Sequence, residues 1–329
     1  MSATRGRHAA GEEGGIRIPA FVDVKGLSIS YGAVSAVRNV SFRVNAGDVY
    51  GLIGPNGAGK TSIVETVAGL RSSTMGGSIN MCGYDPCRNR GAVSRLLGIQ
   101  LQESSYPSGA RVGELCALYE SIYRVPGGAT ALLESFGLLE HRKSLISSLS
   151  GGMRQRLALV LAQLGDVRVV VLDELTTGLD PEQRRETWES VRRLADRGVA
   201  VLLTSHHMDE VEALCSRVSV LLNGEVVAAG TPADLIVQHG GSTRFVIDTR
   251  QVSSEDVEAL HGLGLQQPRR PHPGAVELAG QYPSDYRSII DLLRSRGRSE
   301  TAVRPRAATL EDAYLELVGR DTTVKVGVS

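Results

Sequence analysis

Lysine is scarce in this chain of 329 residues: Lys25, Lys60, Lys143 and Lys325 are the only ones among 36 basic side chains. Any lysine set inside a motif therefore carries weight. Net charge is absent too, since 36 acidic side chains balance the bases, so no overall field draws the chain to nucleic acid or to anionic lipid. Cysteine is limited to Cys82, Cys87, Cys116 and Cys215, with no CxxC spacing and no histidine cluster nearby. That excludes a zinc site and a disulfide framework, and fits a reducing compartment. Long apolar runs are missing: Val169 to Leu172 and Val199 to Leu203 fall far below the ~18 residues of a membrane span. Residues Met1 to Arg17 contain no apolar h-region, so a disordered tail over residues 1–19 is expected rather than a signal peptide.

What is present is enough apolar sequence, 42%, for one large domain and a smaller one. From Ala20 to Val44, short β-branched runs broken by Lys25-Gly26, Gly32 and Asn39 read as antiparallel strands. The texture then changes to a buried strand over Val49 to Ile53, a glycine-rich loop and a helix over Thr61 to Leu70. Helical periodicity over Val112 to Tyr123 and Thr130 to Phe136 predicts an inserted helical subdomain, about residues 103–164, with Leu115, Leu118, Tyr119 and Ile122 on one stripe. Alternation then resumes: helix Ser150 to Leu164, strand Val167 to Leu172, helix Pro181 to Arg197, strand Val199 to Thr204. Such alternation implies a parallel sheet covered on both faces. Beyond residue 239 a small α/β domain is expected over 240–319, with strands at Arg244 to Asp248, Ala275 to Leu278 and Ala302 to Arg304, helices between them, a last helix at Leu310 to Val318 and a tail over 320–329.

Gly54 to Thr61 reads GPNGAGKT, the spacing in which a flexible loop turns successive N–H groups toward phosphates and runs into a helix N-terminus. On this pattern Gly54, Asn56, Gly57, Gly59, Lys60, Thr61 and Ser62 bind a nucleoside triphosphate, with Lys60 on the β- and γ-phosphates and the Thr61 hydroxyl on Mg2+. The same chemistry needs an acid at the end of a neighbouring strand. Val169 to Glu174, VVVLDE, supplies Asp173 for the metal and Glu174 beside it to polarise water.

Leu149 to Arg156, LSGGMRQR, lies just ahead of that strand and resembles the signature sequence of ABC ATPases, with Met153 where the family usually has Gln. Alone, Ser150-Gly151-Gly152 would read as a helix cap. Other elements follow in the family's order over residues 20–239, the expected ABC ATPase domain. Tyr31 matches the aromatic that stacks on adenine, Gln102 the loop sensing γ-phosphate and magnesium, Thr177 to Asp180 (TGLD) the loop joining two subunits, and His206 the histidine at the γ-phosphate. His207 is the second candidate for that last role, and Leu175 replaces the usual Pro. The resemblance implies a P-loop NTPase core of the ABC type with an antiparallel β subdomain, Glu174 and His206 as catalytic residues, and ATP and Mg2+ as cofactors, the metal on Thr61, Gln102 and Asp173. It implies a head-to-tail pair in which Ser150, Gly151, Gly152 and Asp180 act on the other subunit's ATP.

The resemblance also weighs transport against nonmembrane work on nucleic acid or ribosomes. Only 47 residues separate Gln102 from Ser150, too few for the long coiled coil of the chromosome type, and the chain has one cassette where the translation type has two. Val211 to Val218, Gly230 to Ala233 and Thr309 to Tyr314 resemble ATPase subunits of bacterial drug and antibiotic exporters of the daunorubicin-resistance type. A separate membrane permease and a second ATPase subunit are the expected partners, no nucleic acid is, and the expected place is the cytoplasmic membrane face. The region after about residue 240 is expected to be an accessory domain that regulates or stabilises the dimer and contributes no catalytic group.

Overall fold

The computed structural model describes residues 20–71, 76–100, 106–107, 109–241 and 243–326; the tail expected at 1–19 lies outside them. Two long strands, β1 (Ala20–Tyr31) and β2 (Val34–Asn45), form an antiparallel hairpin turned at Gly32, whose φ of 58° is left-handed. β3 (Val49–Ile53) is buried at every residue and leads through the glycine loop into α1 (Lys60–Val67). β4 (Gly76–Met81) returns to pair with β1, and α2 (Arg90–Leu96) precedes β5 (Leu97–Gln100). The helical insertion comprises α3 (Val112–Tyr123), α4 (Gly128–Ser135) and α5 (Gly151–Ala162). β6 (Val169–Asp173), α6 (Pro181–Asp196), β7 (Ala200–Thr204), α7 (Met208–Leu214), β8 (Arg217–Leu222), β9 (Glu225–Gly230) and α8 (Pro232–His239) complete the first unit.

Six of these strands form one sheet in the order β5-β6-β7-β3-β8-β9, parallel except for β9. β3, β6 and β7 are buried at every residue because both faces of the sheet are covered. On one side the β2-β1-β4 sheet shares a core with it, Val24, Leu27 and Ile29 joining Leu52, Val171 and Leu202. On the other, the helical insertion and α6 close over Val170, Leu172 and Leu203.

The buried stripe of α3 is turned from the predicted one. Val112, Leu115 and Cys116 are buried with Tyr119 and Tyr123 partly so, whereas Leu118 and Ile122 are 54% and 62% exposed. Either set satisfies helical spacing, and contact with α4 and α5 chooses between them. All four cysteines are free.

The remaining chain gives β10 (Thr243–Asp248), α9 (Ser254–His261), β11 (Gln266–His272), β12 (Ala275–Gly280), α10 (Ser284–Ser295) and β13 (Val303–Arg306). These build an antiparallel sheet in the order β11-β12-β10-β13, with its own core around Phe245, Ile247, Leu278 and Leu293. β11 was not readable in the sequence, since QQPRRPH carries two prolines; as an edge strand it tolerates them. The last helix, α11 (Leu310–Val326), runs well past Val318, because no proline stops it and Gly319 alone is a weak breaker. Its apolar face does not join the core of the preceding sheet. Leu310 and Leu317 are buried in the first unit's core with Val211, Leu214 and Leu235, and α11 lies against α7 and α8.

Candidate functional site

The loop between β3 and α1 folds as it does because two of its glycines have no room for a side chain. A Cβ on Gly54 (φ 158°) would lie 2.2 Å from the Leu221 carbonyl oxygen, and one on Gly59 (φ 103°) 2.6 Å from that of Ala36. Gly57, also left-handed at φ 79°, faces open space, so it is needed for its turn alone. α1 starts with no side-chain cap and no acid in its first turn, which leaves its N–H groups and dipole for an anion. Lys60 is 7% exposed, and its Nζ donates to the carbonyls of Gly54 (2.7 Å) and Pro55 (3.1 Å), folding back over the loop. Burial lowers its pKa, while Glu174 and Asp173 act in the opposite sense.

The acidic side of the site comes from β6 and β7. Asp173 is the last residue of β6, buried, and accepts a hydrogen bond from the Thr204 hydroxyl at the end of β7. Burial raises its pKa; the Thr204 bond and the Lys60 charge oppose that, and Glu174 adds to it. Successive strand residues face opposite sides of a sheet. Glu174 escapes that rule by a left-handed backbone (φ 52°), its N–H donating to the Thr204 carbonyl at 3.1 Å, so both carboxylates serve one cavity. His206 Nδ1 stands 3.3 Å from Glu174 Oε1. The His207 ring lies against that of His206, centre to centre 4.1 Å and tilted by 39°, and burial lowers its pKa, with the charges of His206 and Arg184 in support. His206 lines the cavity and His207 does not, because His207 caps α7.

Gly54, Asn56, Gly57, Gly59, Lys60, Thr61, Ser62, Asp173, Glu174 and His206 thus meet around one cavity of about 720 Å3. Ala36, Pro55, Met208 and Tyr314 complete its wall, and none of the four was among the candidate site residues read from the sequence. Tyr314 belongs to α11, so the last helix reaches the cavity wall. Gln102 lies outside the described residues. Tyr31 stands at the rim and does not line the cavity; its hydroxyl donates to Ser62 Oγ at 3.2 Å and the Arg71 guanidinium lies 5.3 Å from its ring centre. Adenine stacking on this ring is the expectation that a substitution tests. Tyr31→Ala is expected to weaken ATP binding by roughly tenfold, in line with ~1–3 kcal/mol for a base stacked on an aromatic, while Tyr31→Trp keeps it. Equal ATP affinities of the Ala and Trp variants in a fluorescence titration would make Tyr31 a packing residue only.

The other candidates lie away from this cavity. Ser150 caps α5, accepting from the Met153 N–H at 3.2 Å, and Asp180 caps α6, accepting from Glu182 and Gln183 at 3.0 and 2.9 Å. Gln183 ties the two turns together by accepting from the Gly152 N–H at 3.1 Å, a link with no sequence signal. A second buried carboxylate, Glu210 of α7, accepts from Ser205 and from Trp188 Nε1 and so fixes the loop that carries His206.

An anion-binding loop with a buried lysine, facing two carboxylates and a histidine, binds a nucleoside triphosphate and activates water at its terminal phosphate. Residues 37–177 match the family described as ABC transporter. The chain belongs to the ABC transporter family, as an ATP-binding and ATP-hydrolysing subunit. Among its relatives is the Nod factor export ATP-binding protein I of Rhizobium etli, 33% identical over 91% of this chain and 94% of that one. The protein of the same name from Bradyrhizobium diazoefficiens is 34% identical over 91% and 97%. A solved ATP-binding subunit of an ABC transporter is similar over 67% of this chain and 93% of its own, at 28% identity and a TM-score of 0.60. An ATP-binding cassette in its ADP conformation, 22% identical with a TM-score of 0.58 over 67% of this chain and 94% of its own, shares the fold.

Proposed function

We propose that this chain powers an exporter, working as a dimer on a separate membrane permease at the cytoplasmic face and moving a drug, antibiotic or other hydrophobic small molecule. The observation that carries the reading is that its likeness to export ATP-binding proteins runs over nine-tenths of both chains, including the region after residue 239. No helix among the described residues is long and apolar enough to cross a membrane. Ser150, Gly151, Gly152 and Asp180 sit outside their own nucleotide cavity, which supports their acting on the ATP of a second subunit. Mg2+ would be held by the Thr61 hydroxyl and the Asp173 carboxylate, with Gln102 as a further ligand. Hard oxygen donors, few from the protein and the rest from phosphates and water, fit that ion. The metal supplies charge neutralisation at the phosphates; Lys60 holds them, Glu174 takes the proton of the attacking water, and His206 orients the γ-phosphate beside it.

We further propose that the permease docks against a groove of about 370 Å3 between α1, α2, β5 and the helical insertion, lined by Arg90, Tyr106, Tyr119 and Tyr123 among others. Aromatic and apolar walls with one charged edge suit a short amphipathic segment of a partner. With Tyr106→Cys in the assembled transporter, crosslinks to single cysteines of the permease are expected. Crosslinks from exposed Val237→Cys on α8 in place of the groove would move the contact elsewhere.

A further inference from the structure

Tyr314 is two residues beyond a buried carboxylate that gathers the whole accessory sheet. Asp312 meets Arg244 of β10 at 3.3 Å, Arg269 of β11 at 3.2 Å and Arg306 of β13 at 2.9 Å, and Arg306 also meets Glu277 of β12 at 2.9 Å. The side chains of Asp312 and Arg244 are 4% and 6% exposed. Asp312 further accepts from the Thr309 N–H at 3.0 Å, closing the first turn of α11. All four strands thereby fix where that helix begins. On its other side the helix is seated on α7, with Leu310, Ala313 and Leu317 buried and the Leu310 N–H donating to Glu212 Oε2 at 3.2 Å. α7 starts at Met208, two residues after His206. Tyr314 thereby joins the wall of the cavity that Met208, the first residue of α7, also lines together with His206, Asp173 and Glu174. Its hydroxyl has no hydrogen-bond partner among the described residues, and burial raises its pKa, so it stays a neutral donor.

We propose that Tyr314 is a nucleotide-site residue supplied by the accessory region: its hydroxyl donates to the γ-phosphate of ATP bound in the same chain, and Asp312 positions it. ATP binding then reports whether the accessory sheet is docked. A donor that meets only the γ-phosphate discriminates ATP from ADP, which a packing residue does not. The proposal rests on the nucleotide site as assigned above, and the two fail differently: loss of the site assignment would show as normal nucleotide binding by Lys60→Ala, whatever Tyr314 does.

The test uses the full chain titrated with a β,γ-imido ATP analogue and with ADP. Tyr314→Phe keeps the ring and its packing and removes the donor, so affinity for the analogue is expected to fall about tenfold, the scale of one hydrogen bond to a charged group, with ADP affinity unchanged. Asp312→Asn is expected to give the same selective loss, and the double variant no more than either, because both act through one contact. Equal effects on the two nucleotides, or none, in Tyr314→Phe would overturn the proposal. If Asp312→Asn fails to fold, Tyr314→Phe decides alone.

Discussion

Glu174→Gln is expected to cut ATP hydrolysis by ~10²–10⁴-fold, the usual range for removing a general base. Nucleotide binding should persist, because Gln keeps the size and the hydrogen-bonding oxygen while losing basicity. The geometry gives the reason. Glu174 is turned out of the strand line by its left-handed backbone, sits 14% exposed at the side chain, faces His206 at 3.3 Å and lines the same cavity as Lys60. With hydrolysis blocked, the ATP-bound dimer should accumulate. The checks are single-turnover hydrolysis and dimer mass with ATP and Mg2+. Hydrolysis near the parent rate would remove Glu174 from the base role, and a monomer in ATP would remove the dimer.

Lys60→Ala is expected to lose nucleotide affinity itself, by about 10- to 100-fold, since a hydrogen bond from a charged group is worth ~1.5–3 kcal/mol and Lys60 makes its contact in the ground state. The folded protein should tolerate the change. Lys60 is buried but not ion-paired by contact; its Nζ is held by two loop carbonyls, which can turn to water when the ammonium is gone. Calorimetric titration with ATP and with ADP reads the loss, which should appear for both because Lys60 serves the β-phosphate as well as the γ. Unchanged affinity would mean that the backbone loop alone holds the phosphates.

The two substitutions separate binding from chemistry, and Tyr314→Phe adds a third behaviour, selective loss of the triphosphate. Together they divide the cavity into its loop, its acidic end and the wall brought by α11.

What the sequence by itself determined is everything that is contiguous. GPNGAGKT, VVVLDE and LSGGMRQR each hold their chemistry within eight residues or fewer, and the strands and helices bearing them follow from local periodicity. Their common order along the chain made the family readable before any contact was known. Tertiary structure decided what depends on which faces meet. The stripe of α3 had two phases of equal apolarity, and packing against α4 and α5 buried one and left Leu118 and Ile122 exposed. β11 had no strand signal because its prolines are tolerable only at an edge, and edges are a property of the assembled sheet. The apolar face of α11 was legible as Leu310, Ala313, Tyr314 and Leu317, yet its spacing says nothing about its destination. Burial is non-directional, so any apolar surface of the right shape would serve. It is the Asp312 ion cluster and the Glu212 contact, made by residues up to 98 positions apart, that send the face to α7 and bring Tyr314 into the wall of the cavity.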